Sequence, residues 1–319
     1  MTVEQQPRNE KQSPSTKEKL SPLIRRIADR MNIDLGEFSG TGSEGQITLN
    51  DLSPLISQKR DLIHSVKGKE PDSSKKDSPV KEDLNKIPEA SDHEDYILAP
   101  LNHIRRITGE KLSASKRDIP HFYLSVDCKI DSLLNFKREY EKSEASSFSI
   151  NDLILYAVAR TLKKHPVANA SWSHEGIKIH RNVNLAVAVA SDRGLLTPVI
   201  RNADSKGILS IASDMKELKQ RAKKGELSRE QLMGGTFSVS NLGMYGIQQA
   251  VAVINPLQAC ILAVGSAETK LLSQNNKILH ASIMNCTLSS DHRVLDGAEA
   301  SRLLANLKLF LEDPLQMLI

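Results

Sequence analysis

Apolar and polar positions divide the chain into four stretches with different rhythms. Residues 1–19 are polar, rich in Lys, Glu, Gln, Ser and Pro, and show no apolar period. Such a stretch cannot bury enough surface to offset its ordering entropy, which predicts disorder. From 20 to 57 the pattern changes: Ser21 and Pro22 mark a helix start, and Leu23, Ile24, Ile27 and Met31 follow at helical spacing. A loop punctuated by Gly40, Gly42 and Gly45 leads to Ile47, and a second helix beginning at 48–51 carries Leu52, Leu55 and Ile56. Two short helices around a glycine-rich loop make a core near the lower limit for independent folding, a size better suited to binding a partner than to chemistry. Residues 58–95 are charged and Ser/Pro-containing with few apolar positions, which predicts a flexible linker.

From 96 to 319 the apolar pattern is continuous. Helical periodicity predicts helices over 104–116, 130–141, 150–165, 205–223, 228–233 and 298–312, the third opened by an N-cap cluster at Ser149-Ile150-Asn151-Asp152. Runs rich in β-branched residues predict strands over 121–126, 183–190, 196–200, 236–239, 259–267 and 282–289. Helices mixed with strands in this way predict one α/β domain with a central mixed sheet.

Charge narrows the function classes. Lys and Arg total 43 against 39 Asp and Glu, a formal net charge of +4 spread along the chain. A nucleic-acid reader concentrates its basic residues on one face with stacking aromatics, so no nucleic acid is expected. The three cysteines, Cys128, Cys260 and Cys286, have neither metal-ligand spacing nor a disulfide framework, so no metal is expected and buried packing is their default role. The N-terminus has no apolar signal core, and Glu4 and Glu10 do not suit a mitochondrial presequence. The longest apolar run, 250–265, is interrupted by Asn255 and Pro256 and is too short for a bilayer span. These features predict a soluble cytoplasmic protein without a membrane partner.

Two constellations could carry chemistry. The run Ser282 to Asp291 delivers His292 at a strand end, where backbone can hold an imidazole in one orientation and its pKa suits general-base work. Asp296, four residues on, could cap the next helix or orient cations; the pattern alone leaves open whether Asp291-His292-Arg293 is catalytic or a capped loop. The second constellation, 234–246, is a strand running into a glycine-punctuated turn that carries Ser238, Ser240 and Asn241. A hydroxyl there could donate to an oxyanion, or the segment could be a hairpin with Ser and Asn turn residues. His121 is a weaker second candidate base, without a carboxylate neighbour. Gly-x-Ser-x-Gly and phosphate-cradling loops are both missing from the sequence.

Residues 97–319 resemble the catalytic domain of dihydrolipoyl acyltransferases, the core-forming components of 2-oxo acid dehydrogenase complexes. The resemblance is carried, in order, by Ile119-Pro120-His121-Phe122-Tyr123, Gly194-Leu195-Leu196-Thr197-Pro198-Val199-Ile200, Ser240-Asn241-Leu242-Gly243-Met244-Tyr245-Gly246, Ile254-Asn255-Pro256-Leu257-Gln258-Ala259 and Asp291-His292-Arg293-Val294-Leu295-Asp296-Gly297. Residues 20–57 resemble the family's peripheral subunit-binding domain through Ser21-Pro22, Arg25-Arg26, Ala28 and Gly40-Thr41-Gly42. Ser240-Asn241-Leu242-Gly243-Met244 is most similar to the pyruvate dehydrogenase acetyltransferases.

The resemblance implies a chloramphenicol-acetyltransferase-like fold and acetyl transfer between dihydrolipoamide and CoA. His292 is then the base that deprotonates the thiol, Ser240 the hydroxyl that bonds the tetrahedral oxyanion, and Asp296 a carboxylate that buttresses the site electrostatically. Its cationic partner is unassigned, with Arg105 and Arg106 as candidates and Lys111 where relatives often have Arg. Leu196, Thr197 and Pro198 with Asn241, Leu242, Gly243 and Met244 line the substrate channel, at the contact between subunits of a homotrimer that builds a 24-mer or 60-mer core. Arg25 and Arg26 imply docking of dihydrolipoyl dehydrogenase or the pyruvate decarboxylase component, although Asp29 and Gln46 stand where basic residues are common. No lipoyl attachment hairpin is visible, so the lipoyl group is expected in trans and no cofactor is expected to be bound in this chain. A non-catalytic core scaffold that tethers dihydrolipoyl dehydrogenase is the competing reading; intact His292, Ser240 and Asp296 weigh against it.

Overall fold

A computed structural model of the 319-residue chain describes residues 24–26, 47–48, 51, 99, 101, 103–143, 147–191, 194–274 and 277–318. The chain separates into two compact units, residues 1–65 with 138–145 and 319, and residues 66–137 with 146–318. In the first unit, Ile24–Arg26 are helical, with Ile24 buried and both arginines exposed. Thr48 and Asp51 cap one another: the Asp51 carboxylate accepts from the Thr48 amide at 2.8 Å, and Thr48 Oγ1 accepts from the Asp51 amide at 3.4 Å. This is the start expected for the second small helix. The helix start at Ser21, the glycine loop, the linker and the first 19 residues lie outside the described residues.

The second unit carries a mixed sheet. Helix α1 (His103–Asp118) leads into β1 (His121–Lys129), followed by α2 (Asp131–Ser143), of which 138–143 are counted in the first unit, and α3 (Ile150–Lys164). A hairpin of β2 (Ala170–Ser173) and β3 (Gly176–Ile179) precedes β4 (Leu185–Val187). A second hairpin, β5 (Val189–Ser191) and β6 (Gly194–Leu196), precedes β7 (Val199–Ile200). Then come α4 (Ile208–Lys224), α5 (Arg229–Leu232), β8 (Phe237–Asn241), β9 (Cys260–Gln274), β10 (Lys277–Asp291) and α6 (Gly297–Glu312). The six-stranded sheet runs β1-β10-β9-β8-β4-β7. The β8–β9 and β8–β4 pairs are parallel and the other pairs antiparallel.

Local sequence explains the helices. Ser149 and Asp152 form a capping box at α3, with the Asp152 carboxylate 2.7 Å from the Ser149 amide. Residues Asp152–Leu162 are buried all round the helix, as expected for one with the sheet on one side and helices α4 and α6 beside it. Val158 and Leu162 of α3 and Leu303 and Leu307 of α6 close on Phe237 and Leu262 of the sheet. The gap left between them is about 10 Å³, no more than one water needs. Emptying this layer with Leu262→Ala would cost about 2–5 kcal/mol.

Four expectations change in detail, one of them the strand over 196–200, which is split: Leu196 ends β6 of the second hairpin and Val199 begins β7 of the six-stranded sheet. The strand over 183–190 is two: β4 ends at Val187, and the Ala188 amide turns to the Val239 carbonyl at 2.9 Å before β5 begins. The strands over 259–267 and 282–289 are the inner halves of a longer ribbon, β9 and β10, each of 15 residues. A hairpin over 234–246 is excluded, because β8 runs parallel to β9 and the chain must cross back over the sheet between them. Among the described residues no helix is long and apolar enough to cross a membrane.

Candidate active site

His292 stands where β10 ends. Its amide donates to the Pro120 carbonyl at 3.0 Å, and its ring packs on Phe122, centroids 4.6 Å apart and planes tilted by 49°. The imidazole itself is exposed. Its neighbours in sequence are joined to one another: Arg293 donates through Nε (3.0 Å) and Nη2 (2.8 Å) to the two carboxylate oxygens of Asp291. Asp291 is 1 % exposed, so the pair satisfies a charge the fold has taken out of water. Hydrogen bonding to Asp291 raises the Arg293 pKa above its ordinary value. The guanidinium also lies over the Trp172 ring, 5.0 Å from its centroid.

Asp296 caps α6. Its carboxylate accepts the Glu299 amide at 2.7 Å, while Glu299 reaches back to the Asp296 amide at 3.3 Å. Of its two possible sequence roles, the structure supplies the cap.

Ser240 and Asn241 end β8, half-buried. Asn241 is held from two sides: its Nδ2 donates to Asn151 at 2.9 Å, and its Oδ1 accepts the Gly243 amide at 3.0 Å. Leu242 bonds back to the Val264 carbonyl. Gly243 begins a 3-10 turn with exposed Met244, packed so closely on β9 that an added Cβ would lie 2.7 Å from the Gly265 carbonyl. Ser238, on the same face of β8, is committed elsewhere: it donates to Gln258 at 2.5 Å. Leu196 ends β6, Thr197 follows half-buried, and the carbonyl of buried Pro198 accepts the Val187 amide.

His121 has both ring nitrogens engaged by backbone. Its Nε2 accepts the Ile254 amide at 3.1 Å, which leaves Nδ1 protonated and donating to the Ile119 carbonyl at 2.8 Å. Ser115 Oγ donates to the Ile254 carbonyl at 2.6 Å, so this histidine helps hold the crossing segment down. Sequence reading missed a serine–histidine pair, Ser171 and His180, 2.8 Å apart. Ser171 has its proton on the Leu257 carbonyl at 2.5 Å, so it pins a turn rather than attacking. That turn carries Leu257 at φ +72°, a left-handed conformation unusual for a leucine, with its side chain 81 % exposed. The three cysteines are free and buried, and burial pushes the Cys260 thiol up to about 12. Among the described residues no His, Cys, Asp and Glu cluster could hold a metal ion.

Strand register separates the two candidate groups. Ser240 lies level with Ala263 of β9, which is level with Thr287 of β10. His292 is five residues further along, roughly 16 Å at about 3.3 Å per residue, with two strand spacings adding roughly 10 Å across. No single tetrahedral centre can touch both groups of one chain.

Residues 93–319 match the family model described as 2-oxoacid dehydrogenases acyltransferase (catalytic domain), and residues 18–53 match the e3 binding domain. A Rickettsia bellii protein named dihydrolipoyllysine-residue acetyltransferase component of pyruvate dehydrogenase complex is 40% identical over 303 residues, 94% of this chain and 67% of that protein. The dihydrolipoamide acetyltransferase of Azotobacter vinelandii, solved to examine the role of a serine, a histidine and an asparagine in its catalytic mechanism, is 28% identical. It superposes with a TM-score of 0.68 over 74% of this chain and 100% of its own. A structure of the cubic core of the pyruvate dehydrogenase multienzyme complex gives 0.68 at 27% identity, covering 74% of this chain and 100% of that one.

Proposed function

The chain belongs to the 2-oxoacid dehydrogenase acyltransferase family, and on that premise we propose that it moves an acetyl group between dihydrolipoamide and CoA. The observation that carries the reading is His292, exposed at the end of β10 on a loop held by Pro120, Phe122 and the Asp291–Arg293 pair. In the Azotobacter vinelandii enzyme the serine, histidine and asparagine stand at the same separations along the chain as Ser240, His292 and Asp296 do in this one.

The chemistry needs little equipment. A free thiol has a pKa of about 8.5, so at neutral pH it must lose its proton to attack. His292 takes that proton from the CoA thiol, or from dihydrolipoamide in the reverse direction. The thiolate adds to the thioester carbonyl, and the Ser240 hydroxyl donates to the resulting oxyanion. Collapse breaks the original C–S bond, and the departing thiolate recovers the proton from His292. Atoms and charge balance, and no oxidant or metal enters. Thioester and product thioester are nearly equal in energy, so no external driving force is needed.

Because Ser240 and His292 of one chain lie so far apart, the working site combines His292 of one copy with Ser240 of another. This supports a homotrimer, and assembly of trimers into a larger core fits the likeness to a cubic core. Residues 18–53 suit them to recruiting dihydrolipoyl dehydrogenase or the decarboxylase component, with Arg25 and Arg26 as the contact. The lipoyl group arrives on a domain outside residues 1–319. The bacterial relative supports a cytoplasmic setting.

The test is acetyl transfer from acetyl-CoA to free dihydrolipoamide by the assembled protein. His292→Ala should cut the rate by ~100-fold or more, and Ser240→Ala by about 100-fold. Assembling the two variants together should restore activity, since some sites then combine an intact His292 with an intact Ser240. Transfer untouched by His292→Ala would overturn the assignment; no recovery on mixing would overturn the shared site.

A further inference from the structure

The Asp291–Arg293 pair straddles the proposed base, and nothing in the thiol chemistry above uses it. We infer that Asp291, Arg293 and Trp172 form a clamp that positions His292, so that Arg293 is a positioning residue of the acyl-transfer reaction. The inference rests on His292 being the base.

The clamp has three joints. Asp291 is the last residue of β10, its amide bonded to the Ala259 carbonyl at 2.8 Å and its side chain 2 % exposed. Arg293 closes back on it with three donors, the backbone amide at 3.0 Å, Nε at 3.0 Å and Nη2 at 2.8 Å. The outer face of the guanidinium is covered by Trp172 of β2, 5.0 Å from the ring centroid. Between the two joined residues, His292 keeps one backbone bond of its own, to Pro120, and one ring contact, to Phe122.

The loop beyond has its own anchors, because the Asp291 carbonyl accepts both the Val294 amide at 2.9 Å and the Leu295 amide at 3.0 Å. Backbone on both sides of the imidazole is therefore fixed to one buried residue, Asp291, through its carboxylate and its carbonyl. A base on a free surface turn would sample many orientations, and an error of about 1 Å at a reacting group can cost about 100-fold in rate. A bidentate guanidinium is the side chain suited to this task, since an ammonium supplies charge without a planar fork.

Geometry also sets Arg293 apart from a substrate-binding arginine. Nε and Nη2 are spent on Asp291 and one face on Trp172, and Asp118 lies close enough to feel its charge. Arg117 is the larger influence on Asp118, holding that carboxylate below its usual range through a bidentate hydrogen bond.

The experiment uses the assembled full chain and the acetyl-CoA to dihydrolipoamide assay. Arg293→Met should lower kcat about 10–100-fold, leave KM for both substrates within about threefold, and keep the apparent pKa of the pH–rate profile. Guanidinium ion at concentrations too low to denature should restore part of the lost kcat. Arg293→Lys should stay low, because charge alone does not rebuild the fork. Since Arg293→Met strands a buried carboxylate and could fail to fold, the double variant Asp291→Asn/Arg293→Met removes that charge. It should be as slow as the single variant rather than slower by the product of two effects.

Unchanged kcat in a folded, assembled Arg293→Met protein would overturn the clamp. A loss confined to KM for acetyl-CoA would overturn it too, by making Arg293 a substrate-binding residue. His292→Ala measured alongside separates the two levels: full activity there sinks the proposed base itself, whereas an inactive His292→Ala beside an active Arg293→Met sinks the clamp alone.

Discussion

Asp296 can be tested so that its two suggested roles come apart. Resemblance to the family suggests a carboxylate that buttresses the site by charge; the structure shows an oxygen that accepts the Glu299 amide at 2.7 Å and begins α6. Asn and Asp are equally good N-caps, and Ala is poor. Asp296→Asn therefore keeps the cap and removes the charge, while Asp296→Ala removes both. Loss of the cap should cost about 1 kcal/mol. In a unit of this size that corresponds to a fall in Tm of about 2–4 °C. Asp296→Asn should stay within measurement error of the parent.

The kinetic expectation follows the same logic. The cap fixes the first turn of α6 and with it the end of the loop that carries His292. Asp296→Ala should thus lower kcat by about tenfold, equivalent to about 1.4 kcal/mol in the transition state. Asp296→Asn should remain within a few-fold, in keeping with the asparagine that the Azotobacter vinelandii acetyltransferase carries four residues past its histidine. The assay is thermal unfolding beside steady-state acetyl transfer on both variants. If Asp296→Asn melts like the parent and yet loses as much kcat as Asp296→Ala, the charge is the working feature and the capping argument is refuted.

Two further outcomes follow from packing. At Gly265 an added Cβ would lie 1.8 Å from the Gln248 carbonyl, backbone that cannot step aside. Gly265→Ala should therefore displace the segment after β8 and destabilise the fold by about 1–3 kcal/mol or more, read by denaturant unfolding; a parent-like midpoint would refute the close approach. The three cysteines should resist a disulfide thiol reagent at pH 8 in the native protein and all react once it is denatured. Cys260, with its thiol raised from near 9.0 to about 12, stays protonated when folded while the unfolded chain ionises. The unfolded state then binds fewer protons, so this group's contribution is intact below pH 9 and falls between about 9 and 12, by about 1.4 kcal/mol per pH unit. Cys260→Ala should flatten that alkaline decline in stability.

The parts of the molecule legible from residue order alone are those whose signal is local. The α3 capping box at Ser149 and Asp152 and the apolar period of its helix both lie within a few turns of chain. The strand that delivers His292 is legible as a run of strand-forming residues, although Cys286–Asp291 are all buried rather than alternating. By contrast, residues 268–274 and 277–282 extend β9 and β10 as a two-stranded ribbon with Leu271 and Ile278 exposed, so no burial pattern marks it. Hairpin β2–β3 hides for the same reason, since all four residues of β3 are exposed. Placement of the site is legible only once strands remote in sequence are paired. The distance between Ser240 and His292 depends on Ala263 lying level with both Ser240 and Thr287, a fact of register that spacing along the chain does not contain. The Asp291–Arg293 pair is intermediate: the two residues are adjacent but for His292, yet they meet only because the strand ends in a turn that folds the arginine back over a buried carboxylate. Chemistry in this chain is thus written in residue types, and its assembly in tertiary pairing. A candidate histidine can be named from sequence, but the groups that hold it, and its distance from Ser240, emerge only from how the strands are laid side by side.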